Sequence, residues 1–402
     1  MPRSLQAIAG LVLLAVAAFT GSVQAEIPNR TLRVGVLNDA NGPFADQSGR
    51  GGLIAAQMAA EDFAREATDP RVEIVYGDHQ NKPDVGSGIV RTWVERDGVS
   101  AVADSVNSGV GLAVNRILAD RDLTFVASNV GTSDLSGPAC QPTTVQWSMD
   151  TWAFGNAAAR AMADQGGNSW FFISFDYALG QALERDATNA LKKLGGTVSG
   201  SVRHPLGTAD FSSYLLQAQS SGSKVIALGD TGVDLINAVR QAREFGLSQK
   251  LVGLFTQAID VQAIGLADAQ GLIATESFYW DLNDATRAFS RRFAARHMGR
   301  VPTANQAAVY SSVLAYLRTA KAADSIRGAE VIARMRAAPI EDSLFGTVIV
   351  RPDGRAIHPM YVFQVKTPAE SRAKEDVYKL LRVIPTEEAF RPLAEGGCKL
   401  VK

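Results

Sequence analysis

From residue 32 the chain alternates short, β-rich apolar runs with longer stretches whose apolar residues recur at helical spacing. Residues 32–37, 72–76, 101–103 and 123–127 read as buried strands, and 51–67, 85–96 and 109–120 between them as helices. Such repetition implies parallel strands joined by crossover helices, the pattern of a doubly wound α/β unit. The pattern then restarts, with strands at 170–174, 197–202, 224–228 and 251–254 and helices at 180–194, 211–220 and 233–245. Two similar units in succession imply two lobes.

The last third does not begin a third unit. Residues 284–298, 304–323 and 329–337 have helical spacing, and strands at 347–350 and 360–365 flank Asp353-Gly354, a turn dipeptide that fits a hairpin. A helix block followed by a hairpin implies that the chain returns to both lobes.

The N-terminus sets the compartment. Arg3 precedes an apolar run over 8–19, and Val23-Gln24-Ala25 offers small residues before Glu26, so residues 1–25 read as a secretory signal peptide. The run is shorter than the roughly 20 residues a spanning helix needs. With no cysteine near the cleavage point, a lipid anchor is not expected, and the mature chain should be soluble and periplasmic. Lys+Arg 40 against Asp+Glu 41 gives a net charge of −1, without the basic excess of a nucleic-acid binder. Four histidines and two cysteines leave no common zinc spacing, and neither a metal nor a cofactor is expected. In an oxidising compartment Cys140 and Cys398 are expected to pair. Closing so long a loop is worth up to about 5 kcal/mol in the chain-entropy model.

Open parallel sheets bind ligands at the carboxyl ends of their strands, where loops and helix N-termini converge. Here those segments are 38–44, 78–81, 104–109, 128–132, 175–177, 229–232 and 256–257, rich in hydroxyl and amide side chains with occasional aromatics. The same residues also serve as helix caps, a reading that stays open for each one taken alone. Enzyme motifs are missing: there is no G-x-G-x-x-G, no P-loop, no H-E-x-x-H and no nucleophile elbow. His79 follows a strand but has no evident partner and reads as a solvated loop residue, while His204, His297 and His358 read as surface residues. Asp176 and Asp230 could meet only if the lobes close.

Taken in order, VGVLNDANGPFADQSG, FVASNVGTSDLSG, WFFISFDYALG, SGSKVIALGDTGVD, SFYWDLND and PMYVFQVKTPAES resemble the periplasmic substrate-binding proteins of ABC importers, branched-chain amino-acid (Leu/Ile/Val-binding) type. The resemblance covers residues 30–402. It implies a type I periplasmic binding protein-like fold, two α/β lobes joined by three hinge crossings, here near 146–149, 277–281 and 345–347. Lobe I would comprise 26–147 and 280–345, and lobe II 148–279 and 346–402.

The resemblance also implies site roles. Ser108 and Thr132, with Asn107 and the backbone of Asn129, Val130 and Gly131, match the first-lobe cradle for a ligand carboxylate. Tyr177 matches the second-lobe aromatic that covers the ligand, and Phe44 supplies an apolar wall. Amino-acid binders of this family place an acid after a late second-lobe strand to pair with the ligand ammonium. Here that segment reads Phe255-Thr256-Gln257-Ala258, so Gln257 cannot supply the charge, and Asp230 is the candidate substitute.

The expected activity is non-enzymatic: capture of a small carboxylate-bearing solute and delivery to the membrane permease subunits of an ABC importer, by a monomer that does not bind nucleic acid. Aromatic carboxylates or short amides are the alternative ligands. Alternatives of another class are an exported α/β hydrolase and a ligand-sensing domain.

Overall fold

The computed structural model describes residues 26–148 and 150–401, so the expected leader over 1–25 lies outside the described residues. The apolar runs build two main sheets. In the first, β1 (Thr31–Asn38), β2 (Arg71–Asp78), β3 (Ala101–Asp104), β4 (Thr124–Ala127) and β5 (Thr144–Gln146) are parallel, in the order β2-β1-β3-β4-β5. Every residue of β3 and β4 is buried, as expected where helices cover both faces of a parallel sheet. In the second, β6 (Ser169–Phe175), β7 (Thr197–His204), β8 (Val225–Gly229), β9 (Lys250–Gly253) and β10 (Ile273–Glu276) repeat the parallel arrangement.

The chain then returns to the first lobe. Helix Ala304–Ala323 is buried along most of its length and packs on helix Gly49–Phe63. A small antiparallel sheet follows, β11 (Ile340–Asp342), β12 (Gly346–Val350) and β13 (Ala356–Ile357). Beyond it β14 (Met360–Val365) and β15 (Tyr378–Ile384) add antiparallel strands to the second sheet, whose order is β15-β14-β10-β9-β8-β6-β7.

This pairing corrects the expected hairpin. β12 turns over Asp353-Gly354 onto β13, not onto β14. Gly354, at φ +78°, is what admits the turn, because a Cβ there would stand 2.5 Å from the Thr144 carbonyl oxygen of β5. The Gln146 amide donates to the Gly354 carbonyl at 2.9 Å, so the small sheet is tied to the first large one. The third crossing therefore falls at 358–359 rather than 345–347, and residues 346–357 stay with the first lobe.

After β15 the chain runs back as a strap. Arg391 donates to the Ser133 carbonyl at 2.9 Å, and Cys398 is bonded to Cys140, with Cα atoms 5.7 Å apart. The disulfide expected from the sequence is thus present. Arg355, fully buried, joins the strap to two crossings: it pairs with Asp150 at 3.0 Å, donates to the Gln146 carbonyl at 2.8 Å and stacks 4.3 Å from the Phe390 ring centre.

The histidines are a second correction, for all four are buried. In three of them a backbone group engages Nδ1: that of His79 accepts from the Asn81 amide, and that of His204 and of His358 each lies 2.9 Å from the carbonyl oxygen of the proline that follows.

Candidate functional site

The carboxyl ends of the two sheets face each other. On the first-lobe side Asp39 shapes the loop after β1, accepting from the amides of Gly42 (2.8 Å) and Phe44 (2.9 Å) and from the Asn81 side chain (2.6 Å). Phe44 is folded inward and buried. At the end of β3, Asp104 and Ser105 both have positive φ, +79° and +64°. Successive non-glycine residues in this region store strain, which concentrates at functional sites. Asp104 accepts from Asn38 (2.9 Å), Ser48 (2.5 Å) and Asn129 (2.6 Å), and burial among these neutral donors raises its pKa.

The expected carboxylate cradle is partly occupied by its own members. Asn107 is committed to capping helix Ser108–Asp120, its Oδ1 accepting from the amides of Gly109 (2.9 Å) and Val110 (3.1 Å). The Thr132 amide donates to Ser108 Oγ at 3.2 Å, leaving the Ser108 hydroxyl hydrogen as the donor. Val130 packs into its own lobe, where a Cβ on Gly111 would meet it at 2.5 Å. At Gly131 the lobes touch, since a Cβ would stand 2.8 Å from Leu179 of the second lobe.

On the second-lobe side Tyr177 precedes helix Ala178–Lys193, its ring centre 5.3 Å from that of Phe175. Burial, with Asp230 and Asp234 nearby, pushes its hydroxyl far above the ordinary phenol range. Asp230 follows β8 and meets His204 Nε2 at 2.9 Å; burial moves its pKa up to about 6. Gln257 caps helix Ala258–Ile264, and its side-chain amide crosses the cleft to Asn305 Oδ1 at 3.1 Å. A second bridge joins Gln47 to Thr231 at 2.5 Å. Asp176, the other acid considered in the sequence, is exposed.

Four side chains that the sequence reading did not single out complete the rim. Gln47, Ser105 and Thr256 lie within or beside segments already noted, and only their burial reveals them. Asn305 comes from the start of a long helix, where a polar residue in an otherwise apolar run was the sole signal. The unifying feature is a set of buried polar atoms without hydrogen-bond partners. The first lobe contributes Gln47 Oε1, Ser105 Oγ, Asn129 Oδ1 and Asn305 Nδ2; the second contributes Tyr177 OH, Asp230 Oδ2, Thr256 Oγ1 and Gln257 Oε1. Buried polar groups are normally satisfied, and a polar occupant between the two surfaces would supply partners for these atoms.

A groove of about 430 Å³ between the lobes is lined by Pro43, Gln47, Gly232, Asp260, Glu276 and Trp280, among others. Burial raises Asp260 to about 6 and Glu276 to about 8. Among the described residues no group of three His, Cys, Asp or Glu side chains is placed to hold a metal ion, and no helix is long and apolar enough to cross a membrane.

Two lobes with an enclosed polar cleft define a solute-binding protein. The chain belongs to the periplasmic binding protein family, of the type that serves branched-chain amino-acid ABC transporters, and the family's sequence profile matches residues 31–373. It is similar to a periplasmic binding protein from Burkholderia mallei, whose crystal structure superposes with a TM-score of 0.90 at 39% identity, covering 93% of this chain and 100% of that one. A branched chain amino acid ABC transporter periplasmic ligand-binding protein from Burkholderia xenovorans LB400 matches with a TM-score of 0.83 at 36% identity, over 92% of this chain and 100% of its own. The Leu/Ile/Val-binding protein homolog 6 of Brucella melitensis is 28% identical over 272 residues, 66% of this chain and 68% of that protein. The family consists of transporter substrate-binding components, not enzymes.

Proposed function

We propose that this chain captures one small polar solute between its lobes in the periplasm and delivers it to the permease of an ABC importer. A carboxylate or amide oxygen of the solute is directed to the Ser108 hydroxyl, beside Ser105 and Thr132, and its body lies between Phe44 and Tyr177. The observation that supports this reading is the set of unpartnered buried atoms contributed by both lobes, which a solute fixed between them would satisfy. The names of the Burkholderia xenovorans and Brucella relatives place branched-chain amino acids among the candidates, together with short amides and aromatic acids.

A thermal-shift panel of leucine, valine, benzoate, 4-methylpentanamide and urea tests the reading. A true ligand at 100 times its Kd stabilises the folded state by about 2.7 kcal/mol. Small-angle scattering with that ligand is expected to show a population at least as compact as the unliganded one, since contacts from both lobes favour closure. No shift with any small solute, together with a scattering profile indifferent to all of them, would rule out capture.

A further inference from the structure

A buried histidine–carboxyl pair stands in the second-lobe wall behind the unpartnered Asp230 Oδ2. His204 ends β7 and Asp230 follows β8; both side chains are fully buried, with Nε2 2.9 Å from Oδ1. The other ring nitrogen faces the Pro205 carbonyl oxygen at 2.9 Å, and because a carbonyl only accepts, Nδ1 must bear a proton. Two arrangements then satisfy the contact with Asp230. Either an imidazolium donates to a carboxylate, or a neutral imidazole accepts from a carboxylic acid. Both have zero net charge. The remaining possibility sets the Nε2 lone pair against an ionised carboxylate and leaves two acceptors face to face.

The surroundings favour the paired states. The rings of Phe175, Phe211 and Tyr214 lie with their centres 5.4, 4.7 and 5.7 Å from the imidazole. Asp234 stands 4.0 Å from Nδ1 and accepts from the amides of Gly207 (3.0 Å) and Thr208 (2.6 Å). Arg203, the neighbouring residue on β7, is engaged by Glu184 at 3.1 Å, and Asp176 faces solvent. Burial alone would lower the His204 pKa, yet the hydrogen bond and charge of Asp230 hold it above the ordinary value.

We infer that the His204–Asp230 pair makes the second-lobe end of the cleft an uncharged hydrogen-bond acceptor, so that it selects a solute with a neutral donor there, an amide N–H or a hydroxyl, over one with an ammonium group. The acceptor is Asp230 Oδ2, buried and without a partner, beside the equally unpartnered Tyr177 hydroxyl. An ammonium buried against a neutralised pair loses its hydration without gaining a net counter-charge. His204 is a positioning residue: it acts on the solute through the charge and orientation of Asp230. The inference rests on the capture reading and specifies the solute class for that site.

Titration calorimetry at pH 7 with 4-methylpentanamide, leucine and 3-methylbutylamine tests it. The wild type is expected to bind the amide at least 30-fold more tightly than leucine or the amine. Asp230→Asn, which cannot carry a charge, is expected to keep that ratio within threefold, because the pair it replaces already has no net charge. Leucine bound more tightly than the amide by the wild type, or leucine binding that falls more than tenfold relative to the amide in Asp230→Asn, overturns the inference while leaving capture intact. Absence of binding by any small solute is instead the failure of capture. A second arm needs no solute: nitrogen-15 NMR of the imidazole is expected to show Nδ1 protonated and no titration between pH 5.5 and 7.5 in the wild type. A ring that titrates near pH 6.5 beside an ionised Asp230 overturns the inference whatever binds.

Discussion

His204-Pro205 and His358-Pro359 are the same dipeptide in two regions of the molecule, and their imidazoles are driven in opposite directions. In both, Nδ1 lies 2.9 Å from the following proline's carbonyl oxygen and the ring is fully buried. At the end of β7, Nε2 meets the Asp230 carboxyl, and the His204 pKa is raised in spite of burial. At the third crossing, Nε2 meets the Ser148 carbonyl at 3.0 Å, so only a charged ring could donate to both of its carbonyls. Burial, with the Arg355 guanidinium close by, outweighs those contacts and pushes His358 down to about 4, leaving the neutral ring one donor for two carbonyls. A local motif thus orients a ring, while the group delivered by a distant segment decides its charge.

Breaking the setting of His358 is expected to give the largest effect. Arg355→Met strands the buried Asp150 carboxylate and removes donors from two crossings, at a cost of about 4 kcal/mol in urea denaturation. A variant as stable as the wild type would show that Arg355 does not hold the crossings together.

The two histidines should then give opposite pH slopes. His358 is neutral when folded, so the unfolded chain takes up a proton first. Its contribution is present above about pH 6.5 and is lost as pH falls towards about 4, up to about 3 kcal/mol. His204 has a raised folded value, so its contribution is fully present below about pH 6.5 and is lost as pH rises above that towards and through the higher folded value. Comparing His358→Asn and His204→Asn with the wild type between pH 4 and 9 should flatten the acid limb in one and the alkaline limb in the other. Parallel profiles would break the comparison.

Reduction of Cys140–Cys398 frees a separation of 258 residues and is expected to cost about 3 kcal/mol, read from thermal melts with and without reductant. The smallest effect sharpens the second-lobe side. Tyr177→Phe deletes a buried hydroxyl that has no partner, so without solute it should gain about 1 kcal/mol in stability while solute binding weakens. A loss of stability without solute would mean that the hydroxyl is already satisfied in solution.

Most strands of the two large sheets were legible because buried parallel strands read as short apolar runs at regular spacing, but the four-residue β10 was not read. β5, three residues long, and β15, whose middle residues are exposed, give no such run. The third crossing was misplaced because the partner of β12 is the two-residue β13, too short to register as periodicity. The polar rim was visible as segments, since strand ends in such sheets are known positions along the chain. What those side chains do there was not. Whether Asn107 points to a solute or caps its helix, and whether a histidine in a polar stretch is solvated, depends on which carbonyl or carboxyl a remote strand brings up.

The disulfide between the strap and the loop before β5 has a further consequence for survival among proteases. The backbone from Cys140 to Cys398 contains all three crossings, the whole second sheet and the last three long helices of the first lobe. With its ends joined, that span is a covalent ring. A single cut anywhere within it opens the ring but releases no fragment, so nicked protein should run as one species on a non-reducing gel and as two after reduction.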